Sequence, residues 1–429
     1  MKVAQLSGYC AEHTAYHHGE ASLQSTIIGM AQDFVGSNNI NLLVPSGQFG
    51  TRLTGGTDAA SPRYIFTQLA DITRILFPEV DDSLLCYMED DGQIIEPEYF
   101  APIIPLLLVN GTNGIGTGWS SLIPQHSPRA LVAYLKARLD EETKLPPIRP
   151  FVRGFTGAFD TSDTGGYQSV GRARASGRTS ILIDELPVGR WTEAQKNILL
   201  KMREKDEIKS FVENHTTTKV SFDITLDARQ VKKLEKKGLE KALKLTSSHA
   251  LSNMHAFDSR GKITKYETPE GIVDAFFPIR FGLYEDRISV IRSEAEYKSL
   301  LLENKSRFIE NVVSGEIKLL GSKSTKQSTM LRLDELGFAS SAHLESVRRN
   351  NALLERQKNL PLQETVDDDK RYDYLLNMQL SSLTSEKMDD LQKESRKMKD
   401  DLKKVRDTTP RELWHHDLDS LVPYLPNEN

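Results

Sequence analysis

Arg63 and Tyr64 are neighbours in the sequence, and a second arginine, Arg52, lies a short distance before them. A tyrosine hydroxyl is a weak nucleophile because it stays protonated at neutral pH, so it needs positive charge or a metal ion nearby. The two arginines carry that charge, and an arginine also grips a phosphate through parallel hydrogen bonds. One interpretation of the pattern is a nucleophile directed at phosphate. An ordinary surface ion pair beside a half-buried ring is the more common arrangement for such residues.

Residues 12–20 form a second cluster, rich in groups that bind metals or phosphate. His13 and His17 are four residues apart, as in helical zinc sites, but HExxH is absent and Gly19 predicts a turn. We therefore expect no metal site here. His17 and His18 precede a predicted helix, whose free N–H groups and dipole favour an anion such as a phosphate. A buried, hydrogen-bonded pair of histidines is the alternative.

A glycine-rich segment, Val109–Gly118, follows an apolar run that predicts a buried strand or turn. Its Gly114, Gly116 and Gly118 give G-x-G-x-G, which does not match the dinucleotide-binding pattern, and no Lys-Ser or Lys-Thr pair follows. The loop leaves Ile115 as a large side chain among small ones. An apolar side chain on such a loop can insert between base pairs and kink a duplex. A tight structural turn is the alternative.

The amino-acid composition excludes several classes of protein. The 429 residues, 38% hydrophobic and 27% charged, suffice for two to four globular domains, and no segment approaches the roughly 18 apolar residues of a membrane span. The first residues lack the apolar core of a secretory signal, and two cysteines exclude a disulfide scaffold. The net charge is −5, and residues 1–150 hold 9 basic and 16 acidic residues. Charge alone therefore gives no indication of nucleic acid.

Hydrophobic periodicity predicts the elements that must position these residues. Helices over Val3–His13 and Ala21–Val35 would form a helix-turn-helix, and the acidic run from Asp81 to Glu98 would be a solvated loop. Residues 120–275 predict a mixed α/β domain. Its expected elements are strands over Thr179–Asp184 and Lys219–Leu226 and a Lys-rich helix over Arg229–Lys244.

The last third is predicted to be mostly helical. Apolar residues from Met388 to Val405 recur every three or four positions, with Ser395 as one polar member, which is a heptad seam. Residues 284–313 have the same rhythm. Two such helices, 284–313 and 386–407, would pair as an antiparallel coiled-coil arm, with residues 319–378 forming a small head between them.

The order of the motifs resembles the breakage-reunion region of eukaryotic type IIA DNA topoisomerases, over nearly the whole chain. The matching segments are Lys2–Leu6, Tyr16–Glu20, Phe34–Asn39, Gly47–Arg52, Pro62–Ile65, Asn110–Trp119, Phe151–Gly157, Glu185–Pro187 with Trp191-Thr192, Asn253-Met254 and Tyr374–Met378. Three positions depart from the family pattern, namely Thr57, where the family has Lys, and Ser381 and Ser382 in the expected gate segment.

The resemblance implies roles for individual residues. Tyr64 would attack a DNA phosphodiester and become linked to the 5′-phosphate, while Arg63 would stabilise the charged transition state. Among the histidines, His18 is expected at the scissile phosphate, with His17 contacting adjacent backbone. Ile115 would be the wedge that bends the DNA. Further DNA contacts are expected from Arg52, Gln48 and Lys2.

The resemblance also implies the architecture and the assembly. The expected fold is a multidomain α+β protein with a winged-helix domain (1–120), an α/β tower domain (121–280) and a coiled-coil arm with a helical dimer gate (281–429). A double-strand break needs two tyrosines, so a symmetric homodimer on double-stranded DNA is implied. No membrane partner is expected.

The implied activity is that of an ATP-hydrolysing DNA topoisomerase II. The family's ATPase and TOPRIM domains have no counterpart in this sequence, so ATP and Mg²⁺ are expected to bind outside the chain, for example on a separate polypeptide. We expect residence in the nucleus, with the mitochondrion as the alternative. The alternative function is a catalytically inactive DNA-binding scaffold.

Overall fold

The computed structural model describes residues 1–116, 118–161, 165–318, 325–348, 370–378 and 385–428. The chain divides into two compact units, one made of residues 1–79, 88–280 and 415 onward, the other of residues 80–87 and 281–414. Division at residues 120 and 280 into three functional domains stays a prediction. Across the described ranges, helices long and apolar enough to cross a membrane are absent.

Fourteen α-helices occur in the described residues, beside short 3₁₀ turns. In chain order they are α1 (Val3–His13), α2 (Glu20–Ala31), α3 (Thr73–Leu76), α4 (Leu106–Asn110), α5 (Pro128–Leu139), α6 (Thr192–Glu204), α7 (Ala228–Lys237), α8 (Leu239–Ala242), α9 (Pro269–Val313), α10 (Lys326–Glu335), α11 (Ser341–Arg348), α12 (Asp373–Leu376), α13 (Ser385–Asp407) and α14 (Pro410–Leu421).

The described strands form two sheets and three separate hairpins. They are β1 (Tyr87–Asp90), β2 (Gln93–Pro97), β3 (Thr112–Gly116), β4 (Trp119–Ile123), β5 (Ala158–Thr161), β6 (Tyr167–Val170), β7 (Arg172–Ala175), β8 (Ser180–Glu185), β9 (Ser210–Glu213), β10 (Phe222–Thr225), β11 (Thr246–His249), β12 (Met254–Phe257) and β13 (Ile263–Tyr266). The sheets have the orders β7-β8-β10-β9 and β11-β6-β5, and the hairpins are β1-β2, β3-β4 and β12-β13. The prediction of a multidomain α+β fold is confirmed.

The first core holds the predicted helix-turn-helix. Helix α1 has the predicted bounds, whereas α2 ends four residues earlier than predicted. The Asn38 side-chain amide donates to the carbonyls of Gly29 and Gln32, 2.7 and 2.8 Å away, and so satisfies backbone groups that the helix end leaves open. The two helices enclose a small apolar core of Val3, Ile27, Ala31, Leu43, Phe49 and Ile65.

A larger core lies on the four-stranded sheet. Alternate residues of β8, including Ile181 and Ile183, are fully buried, as expected of a half-covered strand. Both predicted strands are present: β8 is shifted by one residue from the prediction, and β10 is shorter than predicted. The predicted Lys-rich helix is wrong in length: α7 ends at Lys237 because Gly238 adopts a φ of +86°. The apolar run before the glycine-rich segment is also not a strand but contains helix α4.

In the second unit, α9 and α13 run antiparallel as predicted. Glu303 pairs with Lys399 at 3.0 Å, and Glu296 pairs with Arg406 at 2.8 Å. Residue numbers therefore decrease along α9 as they increase along α13. Ser395 is buried, in keeping with its place in the seam. The Met388 side chain and gate residues 379–384, with Ser381 and Ser382, lie outside the described residues.

The acidic run was predicted to be solvated, and for Asp81 this is wrong. Asp81 is 4% exposed and accepts two hydrogen bonds from the Arg287 guanidinium, at 2.6 and 2.7 Å. The Arg287 guanidinium also stacks on the Tyr284 ring. The paired hydrogen bonds offset part of the cost of removing the two charges from water. Sequence spacing could not show this pair, since its members are 206 residues apart.

Replacing Asp81 with Asn would remove the carboxylate charge that pairs with the buried Arg287 guanidinium. We expect the free energy of unfolding to fall by about 3 kcal/mol or more, the usual cost of breaking a buried ion pair from one side. Urea denaturation followed by circular dichroism measures it. The exposed Glu89→Gln is the matched control and should stay within about 0.5 kcal/mol of wild type. An equal, small effect of both variants would contradict this account of the pair.

Candidate functional site

Tyr64 stands on an exposed turn. Its side chain is 73% exposed, Arg63 beside it is exposed as well, and the following Ile65 is 2% exposed. The turn closes through a hydrogen bond from the Tyr64 amide to the Ser61 carbonyl, 2.9 Å long. Burial of Ile65 in the core between α1 and α2 fixes the turn while the neighbouring phenol and guanidinium face solvent.

Backbone hydrogen bonds hold both sides of this turn at the start of α1. The amide of Ala4 donates to the Pro62 carbonyl and that of Val3 to the Ile65 carbonyl, each at 3.1 Å. These are two of the amides that a helix N-terminus cannot pair internally, so the turn completes the helix. Immediately after the turn, Phe66 forms antiparallel bridges with both Lys2 and Ser46.

The segment before the turn also packs tightly against it. A Cβ atom built on Gly47, whose φ is +120°, would come within 2.9 Å of the Ile65 side chain. Any larger residue at this position would displace Ile65, and with it the Tyr64 backbone. Glycine is therefore required at position 47, because a side chain there would disturb the backbone that positions Tyr64.

The carboxylate of Asp58 organises the loop over residues 48–58. It accepts hydrogen bonds from the Thr51 amide at 2.8 Å, the Thr51 hydroxyl at 2.7 Å and the Thr54 hydroxyl at 2.7 Å, with the Gln48 amide further away at 3.4 Å. Burial alone would raise the pKa of Asp58, but hydrogen bonds from Thr51 and Thr54 to the charged form outweigh it and lower the pKa. Thr57 is exposed.

Arg52 is not an exposed cation. It is 6% exposed and pairs with Glu185 at 2.6 Å, and Glu185 is itself 2% exposed. The second oxygen of Glu185 accepts from the amide and hydroxyl of Thr156, at 3.1 and 2.9 Å, so the carboxylate is saturated. The expected direct contact between Arg52 and DNA stays a prediction, and these contacts do not support it.

The same loop is clamped by the start of α6. The amides of Thr192 and Glu193 donate to the carbonyls of Arg52 and Leu53, at 3.2 and 3.1 Å. Trp191 lies so close to Gly55 that a Cβ there would be 2.3 Å from the indole ring. The loop before Tyr64 is thus fixed from the β8–α6 side as well as from α1.

His17 and His18 lie at the start of α2, as predicted, and both are exposed. Their rings are 4.6 Å apart, and the His17 Nδ1 lies 2.9 Å from the Ala15 carbonyl. The Tyr16 hydroxyl donates to the carbonyl of Gly19, the residue that caps α2. The alternative of a buried histidine pair is wrong, and the phosphate contact stays a prediction.

Ile115 projects from the β3-β4 hairpin and is 83% exposed. The flanking Gly114 and Gly116 have open space where a side chain would be, so Ile115 stands alone on its ribbon. Trp119, 52% exposed, continues the apolar surface, and its ring lies 5.3 Å from that of His255 on β12. The glycine-rich segment forms β3 of this hairpin, and the wedge role of Ile115 stays a prediction.

Two asparagines tie the root of this hairpin to the helix-turn-helix. The Asn39 amide, 1% exposed, lies within 2.8 to 3.3 Å of the carbonyls of Val109, His126 and Phe151. The side chain of Asn110 exchanges two hydrogen bonds with the backbone of Ile40. These contacts give the hairpin a fixed direction relative to α2, because buried amides are costly to leave unpaired.

The sequence did not single out Asp58, Glu185 or Asn39 as positioning residues. Asp58 sits within a run of small polar residues that could have suggested a carboxylate-centred loop. Glu185 and Asn39 gave no such signal, because their partners lie 133 and up to 112 residues away. In the described part of the chain, groups of three or more His, Cys, Asp or Glu side chains suited to a metal ion do not occur.

Comparisons with known proteins agree with one another. A family model that describes the A-subunit of DNA gyrase/topoisomerase IV matches residues 1–419. DNA topoisomerase 2 of Arabidopsis thaliana is 45% identical over 98% of this chain, and mitochondrial DNA topoisomerase 2 of Dictyostelium discoideum is 39% identical over 99%. The chain spans 30% and 31% of these relatives' lengths.

A solved structure also matches along the chain. The crystal structure of the Plasmodium falciparum topoisomerase II DNA-binding, cleavage and re-ligation domain superimposes with a TM-score of 0.83 at 38% identity. The match covers 99% of this chain and 58% of that one.

Loss of the Asp58 charge should loosen the loop before Tyr64. We expect Asp58→Asn to lower the free energy of unfolding at neutral pH by roughly 1–3 kcal/mol, the range for hydrogen bonds to a charged group. Because folding lowers the pKa, the wild-type contribution is complete above the unfolded-state pKa and disappears as pH falls through the folded one. Urea titrations between pH 7 and about pH 3 measure it. The exposed Asp71→Asn is the control variant. If the free energy of unfolding has the same pH dependence in wild type and in Asp58→Asn, this role is contradicted.

Proposed function

This chain belongs to the DNA gyrase/topoisomerase IV A-subunit family, and we propose that it is the cleavage and religation part of a type IIA DNA topoisomerase. The observation that carries the proposal is an exposed tyrosine, Tyr64, beside an exposed arginine on a turn that backbone hydrogen bonds hold rigidly.

The proposed reaction is a reversible transesterification. The Tyr64 phenol oxygen attacks a phosphorus atom of the DNA backbone and forms a new P–O bond as its proton leaves. The bond between that phosphorus and the 3′ oxygen breaks, and this oxygen takes up a proton as a 3′-hydroxyl. The 5′-phosphotyrosyl ester has the same number of P–O bonds as the original diester, so religation by the reverse step needs no external energy.

Arg63 would bind the phosphoryl oxygens, whose negative charge spreads in the transition state. Arg63 is next to Tyr64 in the chain and is also exposed, which would let its guanidinium reach the same phosphate. His18 would contact the scissile phosphate and His17 the next one, since both stand at the N-terminus of α2 where an anion is favoured.

Three further residues have supporting roles in the proposal. Lys2, exposed at the cap of α1, and Gln48, exposed on the Asp58 loop, would contact the DNA backbone. Arg52 receives a positioning role: its buried pair with Glu185 holds the loop that leads to the Tyr64 turn.

A double-strand break requires two such tyrosines, one for each strand. The proposal therefore includes a symmetric homodimer, with passage of a second duplex through the break. The coiled-coil pair of α9 and α13 would carry the gate at its far end. Residence in the nucleus is proposed, with the mitochondrion as the alternative.

Mg²⁺ and ATP belong to the complete reaction cycle, and we place both outside this chain. The described residues bring together no metal-binding set of three His, Cys, Asp or Glu side chains, so no step is derived through a metal here. The sequence also lacks a phosphate-binding loop for ATP. A TOPRIM region and an ATPase region, on a separate polypeptide or a longer chain, would supply these functions.

Tyr64→Phe should abolish covalent attachment to DNA while leaving binding intact, because phenylalanine has no oxygen to form the ester. The chain is incubated with supercoiled DNA, Mg²⁺ and a TOPRIM-containing fragment, then denatured with detergent, and DNA-linked protein is counted. Tyr9→Phe is the matched control, since Tyr9 is also exposed (56%) but lies on α1 away from the turn.

Adduct from wild type and Tyr9→Phe but not from Tyr64→Phe is the expected result. Adduct from all three proteins would contradict Tyr64 as the nucleophile. If the wild type binds DNA yet forms no adduct with any partner fragment, the chain is a non-catalytic DNA-binding scaffold instead.

Ile115→Ala should reduce bending of the bound duplex. The wedge loses about three carbon groups that would be buried between bases, a loss of about 2 kcal/mol for the bent state. Energy transfer between dyes at the two duplex ends measures the bend. Ile94→Ala is the control, because Ile94 is 69% exposed on a different hairpin, β1-β2. Equal bending by wild type and Ile115→Ala would remove the wedge role.

A further inference from the structure

Residues 228–244, which contain α7 and α8, carry a concentration of positive charge that the proposed reaction does not use. The segment holds seven Lys or Arg residues and two Glu residues, a net charge of +5 from 7 − 2. The whole of residues 151–300 has a net charge of only +4, from 25 − 21. The excess of positive charge in this third of the chain is therefore confined to one short segment.

Helix α7 is anchored so that its charged side must face solvent. Val231 is 4% exposed in the core of the four-stranded sheet, and Leu234 packs against the same core. At the start of the helix, Gln230 accepts from the Asp227 amide at 3.0 Å and donates to the Asp206 carbonyl at 3.2 Å. Six exposed cations of the segment are here named the basic face: Arg229, Lys232, Lys233, Lys236 and Lys237 on α7, and Lys241 on α8.

The basic face is uncompensated. Within the residues that the structure describes, none of its six cations forms an ion pair, whereas nearby Lys196 pairs with Glu213 and Lys209 with Asp227. Like charges four residues apart, such as Lys232 and Lys236, repel each other on a helix. Lys236 and Lys237 lie in the last turn of α7 and gain from its dipole, whereas Arg229, Lys232 and Lys233 do not. An anionic partner would offset this repulsion.

We propose that the basic face binds the phosphate backbone of duplex DNA outside the segment that Tyr64 cleaves, an inference that rests on the proposed function. Helix α7 packs on the four-stranded sheet, whereas the Tyr64 turn packs on the separate core of α1 and α2. Under this proposal, the two surfaces contact different parts of a bound duplex.

The chemistry of the face favours a DNA backbone over other anionic partners. Lysine ammonium groups on flexible stems make phosphate contacts without reading sequence. From Arg229 to Lys237 the helix extends about 12 Å, along which a duplex presents several phosphates. A membrane-binding helix needs apolar side chains to insert beside its cations, but Val231 and Leu234 are committed to the core.

The test is a triple variant, Lys232→Gln, Lys233→Gln and Lys236→Gln, measured against two duplexes by fluorescence anisotropy over a range of salt concentrations. The short duplex covers only the cleaved segment, and the long one is three times that length. The control triple, Lys393→Gln, Lys397→Gln and Lys403→Gln, removes three exposed lysines from α13. A second triple variant, Lys232→Arg, Lys233→Arg and Lys236→Arg, keeps the positive charge.

On the long duplex the Gln triple should lose about tenfold or more in affinity, and the slope of log K against log salt should become shallower by about 2.7, or 0.9 for each lost phosphate contact. The short duplex, the control triple and the Arg triple should show wild-type behaviour. Circular dichroism melting verifies that all variants are folded.

The outcomes separate this inference from the proposed function. Wild-type affinity and slope of the Gln triple on the long duplex would overturn the inference and leave the function standing. Equal losses on both duplexes would overturn the placement outside the cleaved segment. Failure of the wild type to bind either duplex would overturn the proposed function itself.

Discussion

The site depends on one constraint, the pairing of the Tyr64 turn with the first residues of α1. The open amides of Val3 and Ala4 are satisfied by carbonyls on either side of Arg63 and Tyr64. The turn and the start of α1 hold each other in place, because moving either would remove the partners of these two amides. The nucleophile role proposed for Tyr64 requires a residue that is held rigidly near its target, and here the backbone rather than the side chain provides the rigidity.

Other contacts extend this constraint outward. Ile65 joins the turn to the core of α1 and α2, and Gly47 lets the preceding loop pack directly against Ile65. That loop is organised by Asp58 and bound through Arg52 and Glu185 to β8. The charged groups of Asp58, Arg52 and Glu185 are engaged in contacts that hold the loop. Arg63, next to Tyr64 in the chain, is instead exposed.

Local sequence pattern was enough to predict α1, the helix-turn-helix, the antiparallel coiled coil and the exposed Ile115. It failed where a distant residue decided the outcome. Asp81 looked like part of a solvated run until Arg287, far along the chain, neutralised it. The partner of Arg52 was likewise not visible locally, because Glu185 lies 133 residues away. The roles of Tyr64 and Arg63 come from family resemblance, since an Arg-Tyr pair alone is uninformative.

The most direct test of the central claim is to locate the covalent bond. DNA-linked protein is digested with nuclease and then with trypsin, and the peptides are analysed by mass spectrometry. The account predicts a nucleotide remnant on the peptide Tyr64–Arg74, in which Tyr64 is the only tyrosine. A remnant on a peptide containing any other tyrosine would contradict the assignment of the nucleophile and the role given to the turn that holds it.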